Sequence, residues 1–100
     1  MTQKQKARNK ASVAGRGKVA FSRHAWEDYL FWQANDPRIV EDIHALIEEI
    51  SRTPFTGTGK PEPLRGDLSG FWSRRISRGD RLVYIVEGGV VHVMQCRQHD

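Results

Sequence analysis

Residues 70–97 read GFWSRRISRGDRLVYIVEGGVVHVMQCR, and this stretch decides the fold class. From Gly70 to Ile76 the side chains alternate: Phe71, Ser73 and Arg75 fall on one face of a strand, Trp72, Arg74 and Ile76 on the other. Arg81 to Val86 is almost continuously apolar and rich in β-branched residues, the composition of a central, buried strand. Gly88-Gly89 is a strong two-residue hairpin signal, and Val90 to Arg97 supplies the returning strand. Arg78-Gly79 marks the preceding turn. The stretch predicts three consecutive antiparallel strands.

Upstream of it, residues 53–69 hold three Pro and three Gly and are expected to form a long loop. Unstructured loops beyond about 12–15 residues are usually functional or disordered. Here Pro61 and Pro63 flank Glu62 and restrict its backbone, which argues against simple disorder. Before the loop, Ile39, Val40, Ile43, Leu46, Ile47 and Ile50 repeat with helical period, opposite Glu41, Asp42, Glu48 and Glu49. Asp36-Pro37 suits the start of that helix, and Thr53 before Pro54 its end. An earlier helix follows Ser22, with Trp26, Tyr29, Leu30 and Gln33 as its expected inner face, and Val19-Ala20-Phe21 reads as an opening strand. The order strand, helix, helix, then three antiparallel strands predicts an α+β layer with the helices on one face of the sheet.

The 100-residue length fits one domain. One Cys excludes an intrachain disulfide, the apolar runs are far shorter than the ~20 residues of a membrane span, and no secretory leader is recognisable. A cytoplasmic protein with no membrane partner is expected. The net charge of +4 is unevenly placed. Residues 1–18 carry six basic side chains and no acid, residues 19–50 two basic and seven acidic, and residues 51–100 eight basic and five acidic. Residues 1–17 are too poor in apolar side chains to offset the entropy of ordering and are expected to be a disordered basic tail: either an electrostatic arm for RNA or a dispensable extension. The folded domain is expected over 18–100.

The sheet half concentrates Arg65, Arg74, Arg75, Arg78, Arg81 and Arg97, with Lys60 nearby. An arginine facing inward from a strand is costly unless an anion meets it, and guanidinium matches phosphate by paired hydrogen bonds. Strand alternation allows only one of Arg74 and Arg75 to join a given site. Trp72, flanked by arginines, is a candidate for stacking on a base. Glu62, the arginine face and His99 together suggest RNA cleavage without a metal: a base takes the 2′-hydroxyl proton, a guanidinium neutralises the phosphorane, and an acid protonates the departing 5′-oxygen. Taken singly, a residue such as Glu62 is more often a solvated loop acid and one such as His99 more often a fraying terminal residue. Cys96 and His99, with His92 on the same strand, lack the second ligand pair a structural zinc needs, so no metal or cofactor is expected. Cys96 reads as a buried thiol, His24 and His44 as helix-surface residues, and Trp26, Tyr29, Phe31 and Trp32 as core.

Several strings are particular enough to carry a family resemblance. Ala25-Trp26-Glu27-Asp28-Tyr29-Leu30-Phe31-Trp32, Arg52-Thr53-Pro54-Phe55, Gly57-x-Gly59-Lys60-Pro61-Glu62-Pro63-Leu64, Leu68-Ser69-Gly70-Phe71-Trp72-Ser73-Arg74-Arg75-Ile76 and Arg81-Leu82-Val83-Tyr84 resemble the signatures of the Txe/YoeB toxins, in order from Lys18 to His99. The resemblance implies a RelE-like microbial ribonuclease fold. It implies an endoribonuclease, an mRNA interferase that cuts messenger RNA in the ribosomal A site and stops translation. It further implies a YefM-like antitoxin as partner, operator DNA reached only through that antitoxin, and a homodimer. Carried over by position, Glu62 matches the general base, His99 the general acid and Arg81 the phosphorane stabiliser. Lys60, Arg65, Trp72, Arg74 and Arg75 fall in the RNA-binding half. The family ends in Tyr, which stacks near the scissile base; here Asp100 takes that place and has no ring to stack. The alternative is a translation inhibitor that keeps the fold and binds RNA or the ribosome with weak chemistry.

Overall fold

The computed structural model describes residues 18–98; the tail 1–17, His99 and Asp100 lie outside the described residues. The elements are β1 (Lys18–Phe21), α1 (Arg23–Asn35), α2 (Pro37–Arg52), β2 (Glu62–Pro63), β3 (Trp72–Arg75), β4 (Arg81–Glu87) and β5 (Val90–Gln95), with a 3-10 turn at Gly66–Leu68. They form one sheet of order β1-β5-β4-β3-β2, with β1 parallel to β5 and the remaining pairs antiparallel. Among the described residues no helix is long and apolar enough to cross a membrane.

Both helix starts follow from side-chain capping. Ser22 Oγ accepts from the Ala25 N–H, and Asp36 Oδ1 accepts from the Arg38 N–H with Pro37 in the first turn. On α2 the buried stripe is Ile39, Ile43, Leu46 and Ile50, as its periodicity predicts. It packs on Leu82, Tyr84, Val91 and Val93 of the sheet's inner face, with Ala25 and Cys96 completing the core.

Two expectations are corrected. The inner face of α1 keeps only Tyr29 of the expected set, which packs half-buried against the core: Ala25 and Asp28 are buried, whereas Trp26 and Leu30 are 48% and 43% exposed. The helix is rotated because the Asp28 carboxylate turns inward to accept the Cys96 backbone N–H at 3.0 Å. The stretch 53–69 is also not wholly loop. Glu62 and Pro63 pair with Ser73 and Trp72 and add a fifth strand. A proline is tolerated there because β2 is an edge, with no further strand to receive its missing N–H.

Candidate active site

The register of β2, β3 and β4 places four polar side chains side by side. Glu62 pairs with Ser73, and Arg75 with Arg81, and directly opposed residues project from the same face. That face is the one turned away from the helices. Arg81 Nη1 lies 3.2 Å from Glu62 Oε2 and donates to Ser73 Oγ, also at 3.2 Å. Ser73 is buried beneath this pair, while Glu62 and Arg75 are exposed. A carboxylate and a guanidinium are thus held at contact distance, and Arg75 is the residue opposite Arg81 in the strand register. One groove of about 490 Å³, lined in part by Phe21, Trp26, Tyr29 and His44, contains neither Glu62 nor Arg81; a second, of about 230 Å³, is lined by Arg75 together with Asp42 and Glu49.

The loop that delivers Glu62 is organised around Arg74. This side chain is fully buried. Its Nε donates to Tyr84 Oη at 3.2 Å, its Nη1 to Glu49 Oε1 at 2.5 Å and to the Thr58 carbonyl at 3.3 Å, and its Nη2 to the Thr53 and Thr56 carbonyls at 2.6 and 2.9 Å. Tyr84 Oη donates in turn to the Pro54 carbonyl at 2.6 Å. The expectation that Arg74 binds RNA is therefore corrected. The anion that meets this inward arginine is Glu49 of α2, and loop carbonyls take the remaining donors. The Thr58 N–H, then the Thr58 hydroxyl, then Arg74 hold the Glu49 carboxyl below its ordinary value, and burial pushes the Tyr84 hydroxyl up. Trp72 shares this inner face. It packs on Phe55, ring centroids 4.8 Å apart, and against the core, so it is not offered to a base beside Arg81.

The loop then locks onto β3. The Arg75 N–H donates to the Gly59 carbonyl at 2.7 Å, with Gly59 at φ 84° and Lys60 at φ 52°, both left-handed. A Cβ at Gly59 would lie 2.8 Å from the Arg75 carbonyl oxygen. Gly59→Ala is expected to cost about 1–3 kcal/mol in urea unfolding, through backbone strain and this clash. Lys60 and Arg65, expected at the RNA, are exposed on either side of Glu62 in the chain.

His99 and Asp100 lie outside the described residues, but the segment before them is firmly placed. The Trp32 Nε1–H donates to the Cys96 carbonyl at 2.8 Å, and the Arg97 guanidinium sits 3.5 Å from the centroid of the Phe31 ring. The Gln98 N–H donates to Asp80 Oδ1 at 2.7 Å, and the Gln98 carbonyl accepts from the Arg81 N–H at 3.0 Å. Ser73, Asp80 and Asp28 are the residues that sequence reasoning missed. Alternation puts Ser73 with Arg75, a usable signal; nothing in the string marks Asp28 or Asp80 as tail anchors. Cys96 is fully buried, and burial, then the nearby Asp28, pushes its thiol up to about 12, so it is no nucleophile at neutral pH. His44 is exposed, as expected, with Nε2 2.6 Å from Tyr29 Oη.

Comparison with known proteins places this arrangement. Solved structures with the same architecture are bacterial toxins of the RelE-like fold. Residues 21–100 match the family model described as YoeB-like toxin of bacterial type II toxin-antitoxin system, and the chain belongs to that family. Toxin YoeB of Escherichia coli K12 is 52% identical over 82 residues, covering 82% of this chain and 98% of that one. A YoeB/ParE toxin structure from Agrobacterium tumefaciens is 50% identical at TM-score 0.80, covering 83% of this chain and 99% of the other. A Staphylococcus aureus YoeB at 39% identity, covering 86% of this chain and all of its own, has been solved in a heterotetrameric complex with YefM at TM-score 0.79 and as a dimer at 0.81.

Proposed function

We propose that this toxin is an endoribonuclease that cuts messenger RNA in the ribosomal A site. The observation that carries the reading is the contact of Arg81 with Glu62 on the open sheet face, at 3.2 Å. Glu62 is largely exposed and Arg81 largely buried, so the carboxylate side of the pair is open to solvent and to a phosphate. Placed against a phosphodiester, the Glu62 carboxylate accepts the 2′-hydroxyl proton as that oxygen attacks phosphorus. Arg81 leaves Glu62 to neutralise the equatorial oxygens of the phosphorane, and Arg75 holds the adjoining backbone. His99 gives its proton to the departing 5′-oxygen. The products are a 2′,3′-cyclic phosphate and a 5′-hydroxyl, and the step needs no added metal.

The resemblance to YoeB toxins points to a message held by the ribosome, and positioning of the reacting groups is worth several kcal/mol of the barrier. An mRNA already ordered in the A site arrives with that cost met. Lys60, Arg65 and Arg75 supply contacts to the phosphate backbone, and Asp100, at the position of the family's Tyr, has no ring to stack on a base. The S. aureus relative solved with YefM supports a YefM-like antitoxin for this chain, and its dimer supports self-association.

Primer extension on mRNA from programmed ribosomes tests the reading. Discrete cuts within the A-site codon, retained in EDTA-treated protein, are expected. Intact mRNA on stalled ribosomes would favour the second reading, a binding inhibitor, to which Asp100 in place of the family's Tyr lends weight.

A further inference from the structure

Two acceptors meet the same nitrogen of Arg81. Nη1 lies 3.2 Å from Glu62 Oε2 and 3.2 Å from Ser73 Oγ. They differ in what the reaction does to them. Glu62 is a largely exposed carboxylate, whereas Ser73 is a buried, neutral hydroxyl. Ser73 stands on β3 between its register partners, Glu62 on β2 and Val83 on β4, with a strand on either side. Its oxygen moves about a single side-chain torsion and so has few places to go. The Arg81 guanidinium ends a long stem, whose freedom is lost only while something holds its head. In the cleavage proposed above, Glu62 takes up the 2′-hydroxyl proton, and its hold on Arg81 weakens as its charge is neutralised. The Ser73 hydroxyl undergoes no such change. Nor does it cancel the charge of the arginine, as a carboxylate in the same place would, so that charge stays available to phosphate oxygens.

We infer that Ser73 is a positioning residue: its hydroxyl oxygen keeps the Arg81 guanidinium in place as Glu62 lets it go. The inference rests on the reading of Glu62 as base and Arg81 as phosphorane stabiliser, and names what steadies the guanidinium between its two partners. Ser73 touches no reacting atom; it acts through Nη1 of Arg81. Substitution separates this role from packing. Ser73→Ala removes one oxygen atom and with it the acceptor. Ser73→Thr keeps the hydroxyl and suits a strand. Arg81→Met removes the group that Ser73 is said to hold.

The experiment is single-turnover cleavage of mRNA on programmed ribosomes, with toxin in excess, giving a maximal rate and a half-saturating concentration. Ser73→Ala is expected to lower the maximal rate about 10–100-fold. The half-saturating concentration should change less than about threefold, because Lys60, Arg65 and Arg75 still meet the phosphate backbone. Ser73→Thr is expected to be at least about fivefold faster than Ser73→Ala. In an Arg81→Met background, Ser73→Ala is expected to change the rate less than about twofold, since no guanidinium is left to hold. A purely structural role would cost the same factor in both backgrounds. Thermal unfolding of each variant reports folding separately from rate. Wild-type rates in Ser73→Ala, a loss confined to half-saturation, or an equal loss with and without Arg81 would overturn the inference. Failure of the catalytic reading looks different: Glu62→Gln and Arg81→Met would then cut as fast as wild type, and the role of Ser73 would fall with it.

Discussion

Arg74→Met will destabilise the fold by about 3–5 kcal/mol, although it removes a charge from the interior and nearly preserves volume. The substitution strips hydrogen bonds from the Thr53, Thr56 and Thr58 carbonyls and from Tyr84, and leaves Glu49 without its cation. Buried acceptors without partners carry their full desolvation penalty. Arg74→Lys will recover only part, because one ammonium cannot reach acceptors spread around a planar fork. For a domain of this size about 1 kcal/mol moves the melting temperature by 4–8 °C, so the loss exceeds 10 °C. A shift below about 1 kcal/mol in urea would mean that the loop does not depend on Arg74. The same cluster has an acid limb. The folded-state pKa of Glu49 is lowered from 4.5, so the unfolded chain binds the proton more tightly. The stability Glu49 contributes is complete above that ordinary value and is lost as pH falls through the lower, folded one. Glu49→Gln will be less stable than wild type at neutral pH, and the difference will shrink in acid.

Glu62→Gln will lower cleavage by about 10²–10⁴-fold, the range for removing a general base, and leave stability within about 1 kcal/mol. RNA binding will not weaken, since the change removes a negative charge from a phosphate-facing surface. Arg81→Met will also abolish most cleavage, by about 10²–10³-fold, and will reduce the salt dependence of RNA binding by about one unit of slope. The double variant will cleave little worse than the poorer single, because the pair acts as one unit. Paired cleavage and salt titrations check both statements. Wild-type cleavage in Glu62→Gln would assign the carboxylate to solvation of Arg81 alone.

The contrast between Arg74 and Arg81 shows what the sequence could and could not convey. Alternation along Phe71–Ile76 separates Arg74 from Arg75 and groups it with Trp72 and Ile76, which is the inner face. The rule that an inward arginine needs an anion holds too. What the string lacks is the anion's identity: Glu49 stands 25 positions earlier, on the polar-looking side of a helix whose periodicity gave no sign of it. Phosphate was the wrong partner. The central strand, the Gly88-Gly89 hairpin and the α2 stripe were legible because each is set by local pattern. β2 was not, since two residues with a proline cannot show alternation. Asp28 was invisible for the reverse reason: one carboxylate turned inward to a backbone N–H outweighed the apolar spacing that pointed to Trp26 and Leu30. Glu62 and Arg81 were named from their residue types and the family resemblance; that they touch is set by the register of β2, β3 and β4, which the sequence does not show.

The account stands on attack by a ribose hydroxyl whose proton Glu62 removes. Its most direct test is an mRNA carrying a single 2′-deoxynucleotide on the 5′ side of the A-site cut, presented on programmed ribosomes to the wild-type toxin. No cut at that position is predicted, with the matched ribonucleotide message cleaved to a cyclic phosphate and a 5′-hydroxyl. Equal cutting of both messages would contradict it.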